Sequence, residues 1–445
     1  MQCILGKFAE GFYTHLCKNN LPFISFCIHI LLQLFLIINY SHAGNVQPKK
    51  EKYLPDYNVY HNLSTIKRTV EDIVFRNWDY MKLDYTHLSR EGRPQLLIRV
   101  TNFTGSTSSN IHGSTIPATK LKVLLSYGEH SREFLPVETL FYFLKRLTKG
   151  LREPKDSPEE TYSRFILSRL DLFIIVMVNP DGRNYVERTG NYCWRGTSTG
   201  VDLNRNFDWN YGGPGSKAEK ADEEYRGEHA FSEPESLVFK ELVSRYRFDA
   251  FVSFHSGIRQ IYVPFADTRS KSIHRSPENV AAMLQLASKL SHSTAYKFIY
   301  GVANKINQYT ADGTIFDYMA GVKKVPFSLA IELWGEGDHK GAQCFDLFNP
   351  PSHALQDVVE TLQPMYKALF TYLVDWKDRQ MSLELGVEFL APSLTLGYVL
   401  LVAVIIVTFI VAVYNRLPPS LRLVPRRRVV SLKTLSSTFT SLKLT

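Results

Sequence analysis

Four predominantly apolar runs constrain the fold of this 445-residue chain more than any other feature of its sequence. Each run is apolar at successive positions and not at alternate ones, which is typical of strands that are covered on both faces of a sheet. Segments with helical spacing lie between the runs. This alternation predicts a three-layer α/β/α domain around a mixed, largely parallel central sheet. The runs are Leu121–Tyr127, Leu170–Val178, Ala250–Phe254 and Phe327–Leu333.

Helical spacing appears in the segments between and after these runs, and one long segment lacks it. Ser276-Pro277 joins a helix-capping residue to the proline that is favoured at the first helical position, so a helix is predicted to open there. The segment from Asn179 to Phe231 is too long for an ordinary connection, and we interpret it as a functional loop. The other predicted helices are Pro136–Leu147, Pro234–Tyr246 and His353–Trp376.

Residues that can bind a metal ion lie at the ends of these runs. His130 and Glu133 follow the first run, and His255 follows the third. Because ligands bind beyond the carboxyl ends of strands in open α/β sheets, these side chains are expected at one edge. Two histidines, a glutamate and an open fourth position form the ligand set of many catalytic zinc sites. The alternatives are a surface His-Glu pair at a helix start and a hydrogen-bonded core histidine at position 255.

Apolar segments near both ends predict a membrane topology. Leu394–Tyr414 carries no charge and has the roughly 20 residues that a membrane-spanning helix needs. Leu21–Ile38 has the character of a signal sequence, and a cleaved signal peptide is favoured over an uncleaved anchor. The predicted organisation is a signal peptide (1–43), a polar lead-in (44–54), one globular domain (55–378), a juxtamembrane linker (379–393), a transmembrane helix (394–414) and a basic cytoplasmic tail (415–445).

The formal charge of +9 does not predict a nucleic-acid partner, because the charge is concentrated at the C-terminus. Seven of these positive charges lie in residues 415–445, directly after the apolar segment. An excess of Lys and Arg at this place is typical of the cytoplasmic side of a membrane helix. The globular domain is then lumenal or extracellular, in a single-pass type I membrane protein.

Two further features agree with that compartment. Asn62 and Asn102 each begin an Asn-X-Ser/Thr triplet, so both are candidate glycosylation sites. Three of the five cysteines fall in the presumed signal region, which leaves Cys193 and Cys344 as an even pair in an oxidising compartment. A disulfide between them is predicted; two unpaired buried thiols are the alternative.

Eight motifs follow one another in a fixed order along residues 55–378. They are His130-Ser-Arg-Glu133, Asn179-Pro-Asp-Gly182, Trp194-Arg195, Asp202-Leu-Asn-Arg-Asn-Phe207, Phe231-Ser-Glu-Pro-Glu235, His255-Ser256, Tyr309 and Glu332. The set and its order resemble the zinc metallocarboxypeptidases of the carboxypeptidase A type. The resemblance implies a membrane-anchored member without the inhibitory prodomain of the digestive enzymes, because the dozen or so residues between the predicted signal peptide and the catalytic region cannot form one.

The resemblance also implies roles for the residues at the strand ends. His130, Glu133 and His255 would bind one Zn²⁺ per chain. Glu332 would be the general base that assists the attack of zinc-bound water and then protonates the leaving amine. Arg195 would stabilise the oxyanion of the tetrahedral intermediate.

Recognition of a peptide's C-terminus requires a carboxylate clamp, and the resemblance places it at Asn204 and Arg205. The planar fork of an arginine suits a carboxylate better than a lysine does. Tyr309 matches the family's mobile tyrosine, which closes over the substrate carboxylate. Arg132 resembles the arginine that contacts the substrate further from the cut, and a solvated surface charge is the alternative for it.

The specificity pocket is the part of the resemblance that leaves alternatives open. The family's specificity position precedes an Asp-aromatic pair, which here places Phe316 at the pocket floor, whereas one extra residue before Glu332 makes Ile315 its rival. Both are apolar, which favours apolar C-terminal residues in the substrate. Asp312 and Asp317 keep a basic preference open. Gly257 stands where the family often has an aromatic residue, which leaves the outer subsites undefined.

The sequence therefore predicts a zinc-dependent carboxypeptidase that acts on the C-termini of peptides or proteins. A catalytically silent peptide-binding or adhesion protein on the same fold is the alternative from a different class. The complete set of ligands, base and clamp residues disfavours it, because loss of activity usually leaves a gap in that set. A cytosolic enzyme that trims glutamates from tubulin is a third possibility, which the signal peptide and the glycosylation sites disfavour.

Overall fold

The computed structural model describes residues 54–104, 108–111, 114–117, 120–335, 344–384 and 392–416. The signal peptide that we predict over residues 1–43 lies outside the described residues, as do nearly all of the lead-in and of the basic tail.

The described residues contain ten strands, and eight of them form one mixed sheet. The strands are Met81–Asp84 (β1), Leu97–Val100 (β2), Ser108–Ile111 (β3), Ser114–Pro117 (β4), Leu121–Tyr127 (β5), Leu170–Ile175 (β6), Ala250–His255 (β7), Arg259–Val263 (β8), Ile299–Val302 (β9) and Phe327–Leu333 (β10). Their order in the sheet is β1-β2-β6-β5-β7-β10-β8-β9. The four central strands, from β6 to β10, are parallel to one another, whereas β1, β2 and β8 join antiparallel neighbours. β3 and β4 form a separate hairpin.

Helices surround the sheet and cover both of its faces, because every residue of β6 and β7 is buried. The helices of the described residues, wherever they lie, are Leu63–Arg76 (α1), Leu135–Gly150 (α2), Pro158–Arg169 (α3), Pro180–Thr189 (α4), Pro234–Arg245 (α5), Thr268–Ser272 (α6), Val280–His292 (α7), Ala303–Ile306 (α8), Ile315–Gly321 (α9), Cys344–Phe348 (α10), Leu355–Glu384 (α11) and Pro392–Arg416 (α12). Two single 3₁₀ turns occupy Leu203–Arg205 and Ser352–Ala354. The predicted three-layer α/β fold is confirmed.

All four predicted strands are present, and one predicted helix start is wrong. Helix α7 begins at Val280 and not at Ser276-Pro277; the residues between form a turn in which the Val280 amide donates to the Pro277 carbonyl. A capping pair is a local signal, and here the chain makes this turn before the apolar face of α7 begins to pack on the sheet. The short strands β1, β2, β8 and β9, which lie outside the four central strands, were not predicted, because four or five residues carry too little periodicity.

Strand β10, which is the fourth apolar run, pairs with β7, which is the third. β10 pairs in parallel with β7 so that Glu332 lies opposite His255. β10 is buried at every position except that of Glu332, which is partly exposed. The carboxyl edge of the central strands is therefore the place where polar side chains gather.

Residue contacts divide the chain into two compact units, the first ending at Asp375 and the second beginning at Trp376. In the second unit, α12 contains the segment Gly397–Arg416, which is long and apolar enough to cross a membrane. This segment overlaps the helix predicted over residues 394–414. The first residues of the predicted linker are helical, because α11 extends to Glu384.

Candidate metal centre

Two histidines and a glutamate converge at the carboxyl edge of the sheet. His130 and Glu133 lie in the turn between β5 and α2, and His255 is the last residue of β7. All three are buried, and one ligand atom from each lies within 4.8 Å of the others. Gly128 makes the turn possible, because it adopts a φ of +67° and a Cβ there would lie 2.6 Å from the Met177 sulfur.

The spacing of these ligand atoms fits one tetrahedral ion. The Nδ1 atoms of His130 and His255 are 3.2 Å apart. Two ligands that each lie about 2 Å from a tetrahedral zinc ion are separated by roughly this distance. The two carboxylate oxygens of Glu133 approach the same two Nδ1 atoms, Oε1 at 2.6 Å from His130 and Oε2 at 3.0 Å from His255. The three side chains thus present an N, N, O donor set to a common point.

Asp202 lies behind His130 and is itself held by two arginines. Its Oδ1 is 3.2 Å from the His130 Nε2, and its Oδ2 accepts a hydrogen bond of 2.9 Å from the Nε of Arg195. Arg205 Nη1 approaches the same Oδ2 at 3.8 Å. Burial opposes the charge of Asp202, but Arg195 and Arg205 lower its pKa well below the usual range. A charged Asp202 fixes His130 with its Nδ1 toward the ligand cluster.

Glu332 lies next to His255, one of the three metal-binding residues, and one of its carboxylate oxygens is buried. Its Oε2 is inaccessible to solvent and has no hydrogen-bond partner among the described residues. Burial, and next the charge of Glu133, raise the pKa of Glu332 to about 7. A buried oxygen left free in this way is suited to accept a proton from a small molecule bound beside it.

Arg195 places a fixed positive charge on the other side of the cluster. Its Nη1 is 3.9 Å from the Glu133 Oε1, and its side chain keeps a small exposed fraction. Burial disfavours the charge, yet Asp202 and Glu133 raise the pKa of Arg195 above its usual value. The guanidinium therefore stays charged next to the position of the metal.

Asn204 and Arg205 lie on the 3₁₀ turn near this arginine. The Asn204 Oδ1 accepts a hydrogen bond of 3.0 Å from the backbone amide of Ile315, so its Nδ2 is left to donate to a ligand. Arg205 donates from Nε to the Gly215 carbonyl, from Nη1 to the Asn204 carbonyl and from Nη2 to Glu224. Because a guanidinium has five N–H donors, one on each terminal nitrogen remains without a partner in the described part of the chain.

A loop with two successive glutamates contacts both of the arginines that were predicted to bind substrate. Glu224 Oε1 accepts from Arg205 Nη2 at 2.8 Å, and Glu223 Oε2 lies 3.0 Å from Arg132 Nη2. The side chains of Glu223 and Glu224 are 65% and 35% exposed. Each ion pair is therefore open to solvent on its glutamate side, although Arg132 and Arg205 are only 11% and 5% exposed, and a bound carboxylate can take the place of the glutamate.

Arg132 is held against the rim of the site by backbone and aromatic contacts. Its Nη1 donates to the Cys193 carbonyl at 2.9 Å, and its guanidinium lies 4.3 Å from the centre of the Phe348 ring. The predicted disulfide between Cys193 and Cys344 is present. It links the loop that contains Cys193 to α10, the helix that carries Phe348. A Cβ at Gly257 would lie 2.9 Å from the same ring. Phe348 therefore supplies an aromatic surface beside Gly257.

The residues predicted for the specificity pocket and the predicted mobile tyrosine lie in different environments. Ile315 and Phe316 are both buried in the hydrophobic core at the start of α9. Tyr309 is 62% exposed and lines a cleft of about 550 Å³ together with Gly215 and Glu224. The backbone amide of Ile315 donates to the side chain of Asn204, so Ile315 lies directly beside the residue predicted to bind the substrate carboxylate.

The two carboxylates that left a basic preference open are both buried and bonded within the protein. Asp312 accepts hydrogen bonds from the backbone amides of Gly215 and Thr268. Asp317 accepts from the amides of Ala266 and Asp267, and burial raises its pKa well above the usual range. The Asp312 carboxylate thus connects the backbone at Gly215 with that at Thr268, and the Asp317 carboxylate binds the backbone at Ala266 and Asp267.

The two candidate glycosylation sites lie away from the ligand cluster, in partly exposed positions. Asn62 caps α1, where its Oδ1 accepts from the Thr65 amide. Asn102 lies in the bend after β2 and its Oδ1 accepts from the Thr104 amide and hydroxyl. Glycosylation at both stays a prediction.

Four residues at the site were not found from the sequence: Glu129, Glu223, Glu224 and Phe348. Glu129 stands next to His130, but nothing in a sequence distinguishes it from an exposed glutamate. Glu223 and Glu224 are visible in the sequence as two successive glutamates within the long loop. Phe348 lies in a region without a recognisable motif, and only the disulfide at Cys344 pointed to it.

Comparison with known proteins places this architecture among zinc carboxypeptidases. The family model described as zinc carboxypeptidase matches residues 66–364. Carboxypeptidase A1 of Mus musculus is 30% identical over 296 residues, which cover 63% of this chain and 64% of that protein. Human carboxypeptidase O is 24% identical over 298 residues, which cover 64% of this chain and 72% of that protein. The chain thus spans just under two-thirds of the length of carboxypeptidase A1.

Solved structures agree with the fold. The crystal structure of carboxypeptidase A from Helicoverpa armigera has a TM-score of 0.58 and 20% identity, and the match covers 78% of this chain and 81% of that one. Thrombin-activatable fibrinolysis inhibitor has a TM-score of 0.59 and 20% identity, with 71% and 75% covered.

Proposed function

The chain belongs to the zinc carboxypeptidase family, and we propose that it is a membrane-anchored zinc enzyme that removes the C-terminal residue of peptides or proteins. One observation carries the proposal: His130, Glu133 and His255 present their ligand atoms to one point, and Glu332 lies opposite His255 on the next strand. A metal site and a proton acceptor side by side are the requirements for hydrolysis of an amide.

The proposed chemistry divides among three groups of the protein. One Zn²⁺ ion held by His130, Glu133 and His255 would polarise the scissile carbonyl and a water molecule. Glu332 accepts the proton of the attacking water and passes it to the leaving amine. Arg195 lies 3.9 Å from the ligand Glu133 and stabilises the negative charge that develops on the carbonyl oxygen.

The carboxylate clamp gives the reaction its direction along the peptide. Among the described residues, two N–H donors of Arg205 and the Nδ2 of Asn204 have no partner, so together they can bind one carboxylate. Tyr309 lines the adjoining cleft and is exposed enough to close over a bound C-terminus. Arg132 at the rim is placed to bind the substrate on the other side of the cut.

The expected substrate has an apolar C-terminal side chain. Ile315 is the better candidate for the pocket floor, because its backbone bonds to the clamp residue Asn204. Phe316 remains the rival. Asp312 and Asp317 support no basic preference, since their oxygens are bonded to backbone amides.

The proposed location is a membrane of the secretory pathway or the cell surface, with the catalytic domain on the lumenal or extracellular side. The disulfide between Cys193 and Cys344 supports an oxidising compartment. The apolar helix Gly397–Arg416 supports the anchor.

Mass spectrometry of a peptide panel incubated with the full-length protein in detergent, with and without a chelator, tests the proposed activity. We expect stepwise loss of single residues from free C-termini, fastest for apolar residues, and no loss with chelator or from amidated peptides. Internal cleavage would refute the proposal. Peptides that bind but stay intact would support the alternative of a catalytically silent peptide-binding protein.

A further inference from the structure

Glu129 is a buried carboxylate next to the metal ligands that the proposed mechanism does not use. The residue is 3% exposed and follows directly on Gly128 at the end of β5. Its Oε1 accepts hydrogen bonds from the hydroxyls of Ser126, at 2.6 Å, and Ser253, at 2.7 Å. Its backbone carbonyl accepts from the Nδ2 of Asn179 at 3.2 Å. Two hydroxyls thus hold the carboxylate, and the Asn179 amide holds the backbone of the same residue.

The group that this carboxylate faces is the imidazole of His255. Glu129 Oε2 lies 3.2 Å from the His255 Nε2, and the Ser253 hydroxyl lies 2.6 Å from the same nitrogen. Since the Ser253 hydroxyl donates to Glu129, it accepts from His255, and the Nε2 carries the hydrogen. The Nδ1 of His255 is then the nitrogen with a free lone pair, and it points to the ligand cluster.

Glu129 differs from Asp202, the carboxylate behind the other histidine. Asp202 forms ion pairs with Arg195 and Arg205. No lysine or arginine in the described part of the chain forms an ion pair with Glu129. A buried carboxylate is costly unless it is paired with a positive charge, so the pairing must come from His255 and the ion that it binds.

We propose that Glu129 is a positioning residue of the metal centre, which acts on Zn²⁺ through Ser253 and His255. It holds His255 in the Nε2–H tautomer and raises the basicity of the Nδ1 that faces the ion. The inference rests on the zinc site of the proposed function. Groups with this relation to a metal-binding histidine typically change metal affinity by 10–100-fold when they are mutated.

Zinc affinity of the full-length protein, measured by competition with a chromogenic chelator, tests this role without any substrate. For Glu129→Gln, which keeps the shape and removes the charge, we expect a zinc Kd about 10–100-fold higher than that of the wild type. The matched control is Glu235→Gln, another buried glutamate, located on α5, for which the Kd should stay within about twofold. Cobalt substitution adds a spectroscopic readout, and the d–d bands should shift for Glu129→Gln and not for Glu235→Gln.

Ser253→Ala is the second variant, because it removes the hydroxyl between His255 and Glu129 and leaves the carboxylate in place. We expect it to weaken zinc binding in the same direction but less. An unchanged Kd in both variants, or a loss of thermal stability in the metal-free protein without a change in Kd, would overturn the role of Glu129. A wild-type protein that binds zinc and cleaves no peptide would refute the proposed function and leave this inference standing.

Discussion

At the scale of single residues, Glu332 is the group on which the proposed chemistry depends most directly. For Glu332→Gln we expect a fall in kcat of about 10²–10⁴-fold, because the amide cannot accept the proton of the attacking water. Zinc content should stay at one ion per chain, since Glu332 is not among the three ligands. The measurements are steady-state hydrolysis of a peptide with an apolar C-terminus and metal analysis of the same sample. A variant that cleaves at the wild-type rate would remove Glu332 from the mechanism.

Arg205 and Glu224 form a pair whose two substitutions should act in opposite directions. Arg205→Ala should raise KM for free C-termini, because a charged hydrogen bond to the substrate, about 1.5–3 kcal/mol, is lost. Glu224→Gln should lower KM several-fold, because it removes a carboxylate that competes for the same guanidinium. Both are measured by initial rates on one peptide series.

The control for the Glu224 variant is Glu228→Gln, an exposed change in the same segment. Its KM should equal that of the wild type. If Glu224→Gln raised KM as Arg205→Ala does, Glu224 would be a support of the clamp and not a competitor.

At the scale of elements, a buried carboxylate joins the loop before β2 to the start of α5. Glu235 accepts a hydrogen bond of 3.0 Å from the Arg90 amide, and burial raises the pKa of its carboxyl to about 7. The folded protein therefore keeps a proton that the unfolded chain releases above about pH 4.5. This proton's contribution to stability is present below pH 4.5 and is lost as the pH rises toward 7.

Glu235→Gln tests this titration. The variant should unfold at a higher temperature than the wild type at pH 8, where Glu235 is charged and buried, and the difference should vanish at pH 5. The free-energy difference at pH 8 is on the order of 1–3 kcal/mol. Thermal unfolding of the zinc-loaded protein at both pH values provides the measurement, with Glu228→Gln as control. An equal shift at both pH values would indicate a change in packing and not in charge.

At the scale of the whole molecule, the proposed topology predicts where modification and cleavage occur. In sealed microsomes that contain the full-length protein, added protease should remove only the basic tail after Arg416. Asn62→Gln and Asn102→Gln should each remove one glycan, seen as a mobility shift that glycosidase treatment of the wild type reproduces. Protection of the tail together with digestion of the catalytic domain would show that the topology is the opposite of the one proposed.

The sequence by itself determined the parts of this protein that depend on local pattern. Runs such as Leu121–Tyr127 predicted the central strands, because a strand covered on both faces is largely apolar at successive positions and not only at alternate ones. The same logic placed His130, Glu133 and His255 at one edge, since parallel strands end on the same side. Cys193 and Cys344 were paired by counting alone.

The tertiary structure decided what depends on distances across the chain. Glu129 and His255 are 126 positions apart in sequence, and only the pairing of β5 with β7 brings them to within 3.2 Å. Glu224 contacts Arg205 because the long loop folds back over the clamp, which no periodicity encodes. The start of α7 and the short strands β1, β2, β8 and β9 also depend on packing against neighbours. Local signals specify elements and their ends, whereas the environment of each polar group is set by the elements packed around it.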